Sequence, residues 1–185
     1  LDNLSMILMY LNLGLEHIIS GYDHLLFLFS LIVISKRFKD VLKIVTAFTI
    51  AHSITLSLAA FGLVPVYPKW IEAGIALTIV YVAIENFFVS DSGWRWLVTF
   101  VFGLIHGLGF ARAIGEIGFD KHHMITSLLS FNIGIELGQL GVVAVVLPLL
   151  LHLQKNKTFY TWFFRCSSAC ILVIAAFWFF QRILG

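Results

Sequence analysis

Apolar runs of about twenty residues recur along the chain, separated by short polar breaks. A helix needs that length to cross the hydrocarbon core of a bilayer. The pattern predicts six spans, at roughly 13–35, 41–62, 69–89, 95–114, 124–152 and 159–183. Residues 1–12 predict a short interfacial helix leading into the first span. Breaks fall at Lys36-Arg37-Phe38-Lys39-Asp40, Pro65-Val66-Tyr67-Pro68-Lys69, Ser90-Asp91-Ser92-Gly93, Gly115 to His123, and Gln154-Lys155-Asn156-Lys157. Each contains turn formers or charge. No internal repeat or low-complexity segment is evident. The expected fold is therefore all-α, an integral membrane bundle forming one polytopic domain over residues 1–185.

Composition supports this reading. The 185 residues are 60% hydrophobic and 12% charged, whereas globular chains carry about a quarter charged residues. The net charge of +2 is small and dispersed, which argues against nucleic acid as a partner. The cations do carry topological information. Lys36, Arg37, Lys39, Lys43, Arg95, Lys155, Lys157 and Arg165 lie on or near three alternate loops, and only Lys69, Arg112, Lys121 and Arg182 lie opposite. The positive-inside rule makes the basic loops cytoplasmic and both termini extracytoplasmic. The chain begins at Leu1 rather than Met, so we expect that an upstream piece, a signal peptide or an extracytoplasmic domain, has been removed. The expected location is a cell membrane, the bacterial inner membrane. Cys166 and Cys170 are helical i,i+4 neighbours, for which packing is the expected role.

Polar residues inside the spans point to chemistry. The first span carries Glu16, His17, Asp23 and His24, the second His52-Ser53, the third Glu72 and Glu85-Asn86, and the fourth His106. On the fifth, Asn132, Glu136 and Gln139 recur at i, i+4 and i+7 and form one stripe. Thr46, Thr49, Ser53 and Ser57 form a second stripe beside His52. A charged side chain at a helix centre costs about 2.5–3.5 kcal/mol, so a group of them needs partners or an ion. With the orientation above, most would converge in the outer half of the bundle. Gly103/Gly107 and Gly134/Gly138 are GxxxG pairs that allow close helix packing.

Asp23, His24, His52 and His106 are the expected core of a shared metal site. His17 and His24 share a face but lie about 10 Å apart along a straight helix at ~1.5 Å per residue. Both reach one ion only if Gly21 bends the helix; otherwise His17 belongs to an outer capture site. Imidazole with carboxylate suits a divalent Ni, Co, Zn or Fe ion, and three histidines with an aspartate suit zinc with an open position for water.

The blocks His17-x3-Gly21-x-Asp23-His24-Leu-Leu-Phe27, Thr46 to Leu56 around His52-Ser53, Phe102 to Phe110 around His106, and Phe131 to Gln139 around Glu136 resemble the HupE/UreJ family of membrane proteins. The resemblance implies nickel or cobalt uptake for hydrogenase and urease. Its His-x5-Asp-His motif falls on His17, Asp23 and His24, with later positions on His52, His106 and Glu136. Ile18 stands where the nickel-permease branch has proline, so the chain is more similar to the other branch. The family is also grouped, by distant similarity, with alkaline ceramidases and related intramembrane zinc hydrolases.

Two functions follow as expectations. One is a metal permease, with His17, Asp23, His24, His52, His106 and Glu136 as ligands and Glu85-Asn86 aiding release at the cytoplasmic end. The other is an intramembrane zinc hydrolase of a lipid or lipid-linked amide or ester. There His24, His52 and His106 would hold zinc while Asp23 and Ser53 position or activate water. The expected partners are the ion and the lipid bilayer, and a homo-oligomer is compatible with either.

Overall fold

Helices make up the regular structure that the computed structural model describes, over residues 3–89, 93–110 and 123–185. They are α1 (Asn3–Ser20), α2 (Tyr22–Ile32), α3 (Phe38–Ala60), α4 (Pro68–Glu85), α5 (Arg95–Gly109), α6 (Met124–Leu153) and α7 (Lys157–Leu184). The first expected span needs correction. Residues 3–12 are not a separate interfacial helix, because no breaker interrupts the chain before Ser20 and α1 runs through them. The helix breaks instead at Gly21, with a 70° bend between α1 and α2. The end of the fourth expected span, residues 111–114, lies outside the described residues.

Three helices, α3, α6 and α7, are long and apolar enough to cross a membrane, and the bent α1–α2 pair makes four if counted as one span. The side-chain distribution is that of a membrane protein. Phe88, Val145, Val173 and Leu184 are exposed, while Arg95, Thr99, His52 and His106 are fully buried. Water would favour the reverse arrangement, but lipid does not. Cys166 and Cys170 are exposed on α7, so neither takes the packing role expected of them.

Three helix pairs dominate the packing: α3 with α5, α1 with α6, and α4 with α7. Missing side chains permit the first two. A Cβ at Gly107 would overlap the His52 carbonyl on α3, and a Cβ at Gly134 would overlap the Leu11 carbonyl on α1. Backbones this close gain dispersion contacts that lipid chains cannot replace. α2 inserts between α3 and α4, where Phe27 and Leu31 join Phe48, Ile79 and Val82 in one core.

One end of the bundle is tied by polar bonds. Arg95, wholly buried, meets Glu85 at 3.0 Å and donates to Asn86 Oδ1 at 2.6 Å. It also donates to the carbonyls of Ser30 and Leu31, in the last turn of α2, each at 3.3 Å. Carbonyls there have no acceptor role inside their own helix, so a cation both caps and neutralises that end. Gln154 and Tyr160 donate to the Ser35 and Val33 carbonyls nearby. These bonds gather the segments around Lys36, Arg95 and Lys155–Arg165 at one end of the molecule. Replacing Arg95 by Met strands the buried Glu85 carboxylate and should lower unfolding free energy by about 3–5 kcal/mol. In denaturant melts in detergent, the double variant Arg95→Met/Glu85→Met should recover most of that loss; a single variant as stable as wild type would contradict the assignment.

Candidate metal centre

The break at Gly21 builds the centre. Gly21 N–H donates to the His17 carbonyl at 3.0 Å, and its own carbonyl accepts from Leu25 N–H at 3.0 Å, so Gly21 itself stays bonded on both sides of the turn. A Cβ at Gly21 would lie 2.5 Å from the His17 carbonyl oxygen and 3.2 Å from His24 Nδ1. Only glycine fits between these groups. The bend brings the His17 and His24 rings to 4.6 Å between centroids, which a straight helix would separate by about 10 Å.

Two further histidines complete the group. His52 on α3 lies 5.9 Å from His24 and 6.1 Å from His17, and His106 on α5 lies 5.1 Å from His24. His24, His52 and His106 are buried, and His17 is half-buried. His24 is thus the hub, and four helices each contribute one ring. Five of the ring nitrogens are buried without a hydrogen-bond partner: His17 Nε2, His24 Nε2, His52 Nδ1 and Nε2, and His106 Nδ1. Buried polar atoms are nearly always paired, so such a concentration makes this group the candidate site.

His106 shows how one ring is prepared. Its Nε2 lies 2.9 Å from Thr78 Oγ1 on α4. Thr78 Oγ1 also lies 2.6 Å from the Ile75 carbonyl, to which only the hydroxyl hydrogen can donate. The threonine must then accept from His106, so Nε2 carries the ring hydrogen and Nδ1 keeps its lone pair. Orienting a histidine through its second nitrogen is the usual support for a metal ligand.

Aromatic rings wall the group. Phe48 lies 5.3–5.9 Å from His24, His52 and His106, and Phe27 lies 4.6 Å from His106. Phe110 and Phe131 stack at 4.7 Å, and Phe110 lies 4.2 Å from His17. Sequence reasoning did not single out Thr78 or these phenylalanines. Aromatic residues are abundant in every span, and Thr78 lies 28 positions from its partner.

The carboxylates lie elsewhere. Asp23 forms a two-pronged pair with Arg182 Nη2, at 3.1 and 2.8 Å, and Arg182 also donates to the Glu72 carbonyl at 2.9 Å. Glu136 accepts from Thr46 at 3.0 Å, and Gln139 accepts from Thr49 at 3.0 Å, so the two polar stripes mesh between α3 and α6. Neither Asp23 nor Glu136 is within ion-pair distance of any of the four rings. Among the described residues, no three His, Cys, Asp or Glu side chains stand arranged to hold an ion as they are. Ser53 donates to the Thr49 carbonyl at 2.6 Å. Glu85 and Asn86, expected to aid release, are bound to Arg95.

The family comparison covers all of these helices. A family model described as HupE / UreJ protein matches residues 2–182. The chain belongs to the HupE/UreJ family. No curated protein and no solved structure is significantly similar to it. In this HupE/UreJ protein the His-x5-Asp-His segment straddles the bend, so its two histidines face one another while its aspartate is bound to the last helix.

Two expectations follow. Gly21→Ala overpacks the bend and should destabilise the protein by about 1–3 kcal/mol in denaturant melts; an unchanged midpoint would mean the bend tolerates a side chain. In a double-mutant cycle, Asp23→Asn and Arg182→Gln should couple by about 1 kcal/mol. Strictly additive losses would show that the pair contributes nothing as a pair.

Proposed function

We propose that this HupE/UreJ protein takes up a divalent transition-metal ion of the nickel or cobalt type, binding it at His17, His24, His52 and His106. The observation that carries this reading is the convergence of four imidazoles, five of whose nitrogens are buried and unpartnered. Imidazoles bonded to one ion at ~2.0–2.1 Å with tetrahedral angles have ring centres about 5 Å apart. Four of the six ring pairs lie at 4.6–6.1 Å, near that value, which supports a shared ion centred on His24. Neutral imidazole favours borderline ions such as nickel, cobalt and zinc over magnesium or calcium.

On this reading Asp23 and Glu136 flank the site rather than fill it, because Arg182 and Thr46 engage them. The bundle crosses the membrane six times, with α1–α2 as one bent crossing and both termini outside. The basic end tied by Arg95 faces the cytoplasm, in accord with the positive-inside rule. The membrane is a bacterial inner membrane. The hydrolase alternative has less support, since Asp23 and Ser53, which would position or activate its water, already bond to Arg182 and to the Thr49 carbonyl.

Cobalt(II) supplies the test, because its visible bands report nitrogen coordination. Purified protein should bind it with a spectrum that His24→Ala abolishes. Thr78→Val should weaken binding about tenfold or more while leaving the fold intact, the usual effect of removing a supporting contact to a ligand. Sealed proteoliposomes should accumulate radioactive nickel or cobalt. Binding without accumulation would sink the transport reading and keep the site; no binding at all would sink both.

A further inference from the structure

At the basic end of the bundle a cavity of about 270 Å³ opens between the end of α2, the end of α4 and the beginning of α7. Lys36, Arg165, Tyr160 and Asn86 line it together with Phe87 and Phe88. Its frame is fixed by bonds already described. Tyr160 donates to the Val33 carbonyl on one side, and Asn86 donates to the Ser30 carbonyl at 3.0 Å and receives Arg95 on the other. Such a cavity exists before any ligand arrives, which limits the ordering cost of binding.

Charge selects the ligand. Lys36 and Arg165 are exposed, and no described carboxylate lies within ion-pair distance of either. Glu85, buried nearby, is already neutralised by Arg95. An anion is therefore favoured and a cation opposed. The apolar side then selects the source of that anion. Phe88 is 84% exposed and Phe87 43% exposed at the rim. Basic and aromatic residues occur together where helices leave the bilayer, at headgroup level. Basic pockets between helices on the cytoplasmic side suit anionic lipid headgroups.

We propose that this cavity is a binding site for an anionic phospholipid, with Lys36 and Arg165 holding the phosphate and Phe87 and Phe88 lying against the acyl chains. The inference is independent of the metal site, because no residue of the histidine group contributes to it.

Native mass spectrometry of the full chain, released from detergent containing equal amounts of phosphatidylglycerol and phosphatidylcholine, tests the idea. Wild type should retain phosphatidylglycerol preferentially. Lys36→Gln and Arg165→Gln should each lower its apparent affinity about fivefold, and the double variant about thirtyfold. The control Lys155→Gln/Lys157→Gln removes two charges from the same end of the molecule but none from the cavity, and should change affinity less than twofold. Thr161→Trp, which fills the cavity without altering charge, should also release the lipid. Equal retention of both lipids would overturn the proposal, as would equal losses in the control and the cavity variants. Displacement of the lipid by millimolar inorganic phosphate would overturn it too, by reducing the cavity to a free-anion site.

Discussion

The histidine group depends on one missing side chain. Gly21 lets the His17 carbonyl and the His24 ring approach where a Cβ would stand, and this contact converts one long apolar run into two helices at 70°. Without the bend, His17 and His24 would sit about two turns apart and serve separate places. With it they become neighbours, and α2 is directed into the bundle where His52 and His106 meet it. Lipid exerts no force that pushes a helix to break, so the break must be favoured by what it brings together.

The polar groups of the bundle divide into two kinds. Most are satisfied by neighbours: Arg95 by Glu85, Asn86 and two carbonyls, Asp23 by Arg182, Glu136 and Gln139 by threonines of α3. These contacts fasten helices. The imidazoles are the second kind, gathered together yet left with unpartnered nitrogens. Residue type alone does not separate the two kinds; the gathering of five unpartnered nitrogens in one place does.

Much of this was legible in the sequence, through period and cost. Apolar period and length located α3, α4, α5, α6 and α7, and the expense of ionisable residues in apolar runs picked out all four histidines. Helical spacing correctly posed the question of His17 and named Gly21 as the condition. It was not able to answer it, because a glycine in a membrane helix equally serves packing, as Gly107 and Gly134 do. Asp23 was grouped with the histidines for a related reason. Adjacency to His24 in sequence suggested a shared site, but successive residues on a helix point about 100° apart, and Asp23 pairs with Arg182. That partner lies 159 positions away, beyond any local pattern. Arg95 likewise read as an ordinary cytoplasmic cation, and only tertiary packing shows it buried.

The neutrality of the imidazole group has a consequence for selectivity. On the proposed reading, an ion entering it gains no carboxylate ligand from first neighbours, since Asp23 is paired with Arg182 and Glu136 is bonded to Thr46. The occupied bundle therefore carries two additional positive charges within walls of phenylalanine. Coulomb attraction cannot hold an ion there; only donation from nitrogen lone pairs can. Magnesium and calcium, abundant and tightly hydrated, would lose their water and receive little in return. A centre of this kind discriminates by covalency, and it can pick a scarce ion out of a large excess of common ones without measuring size at all.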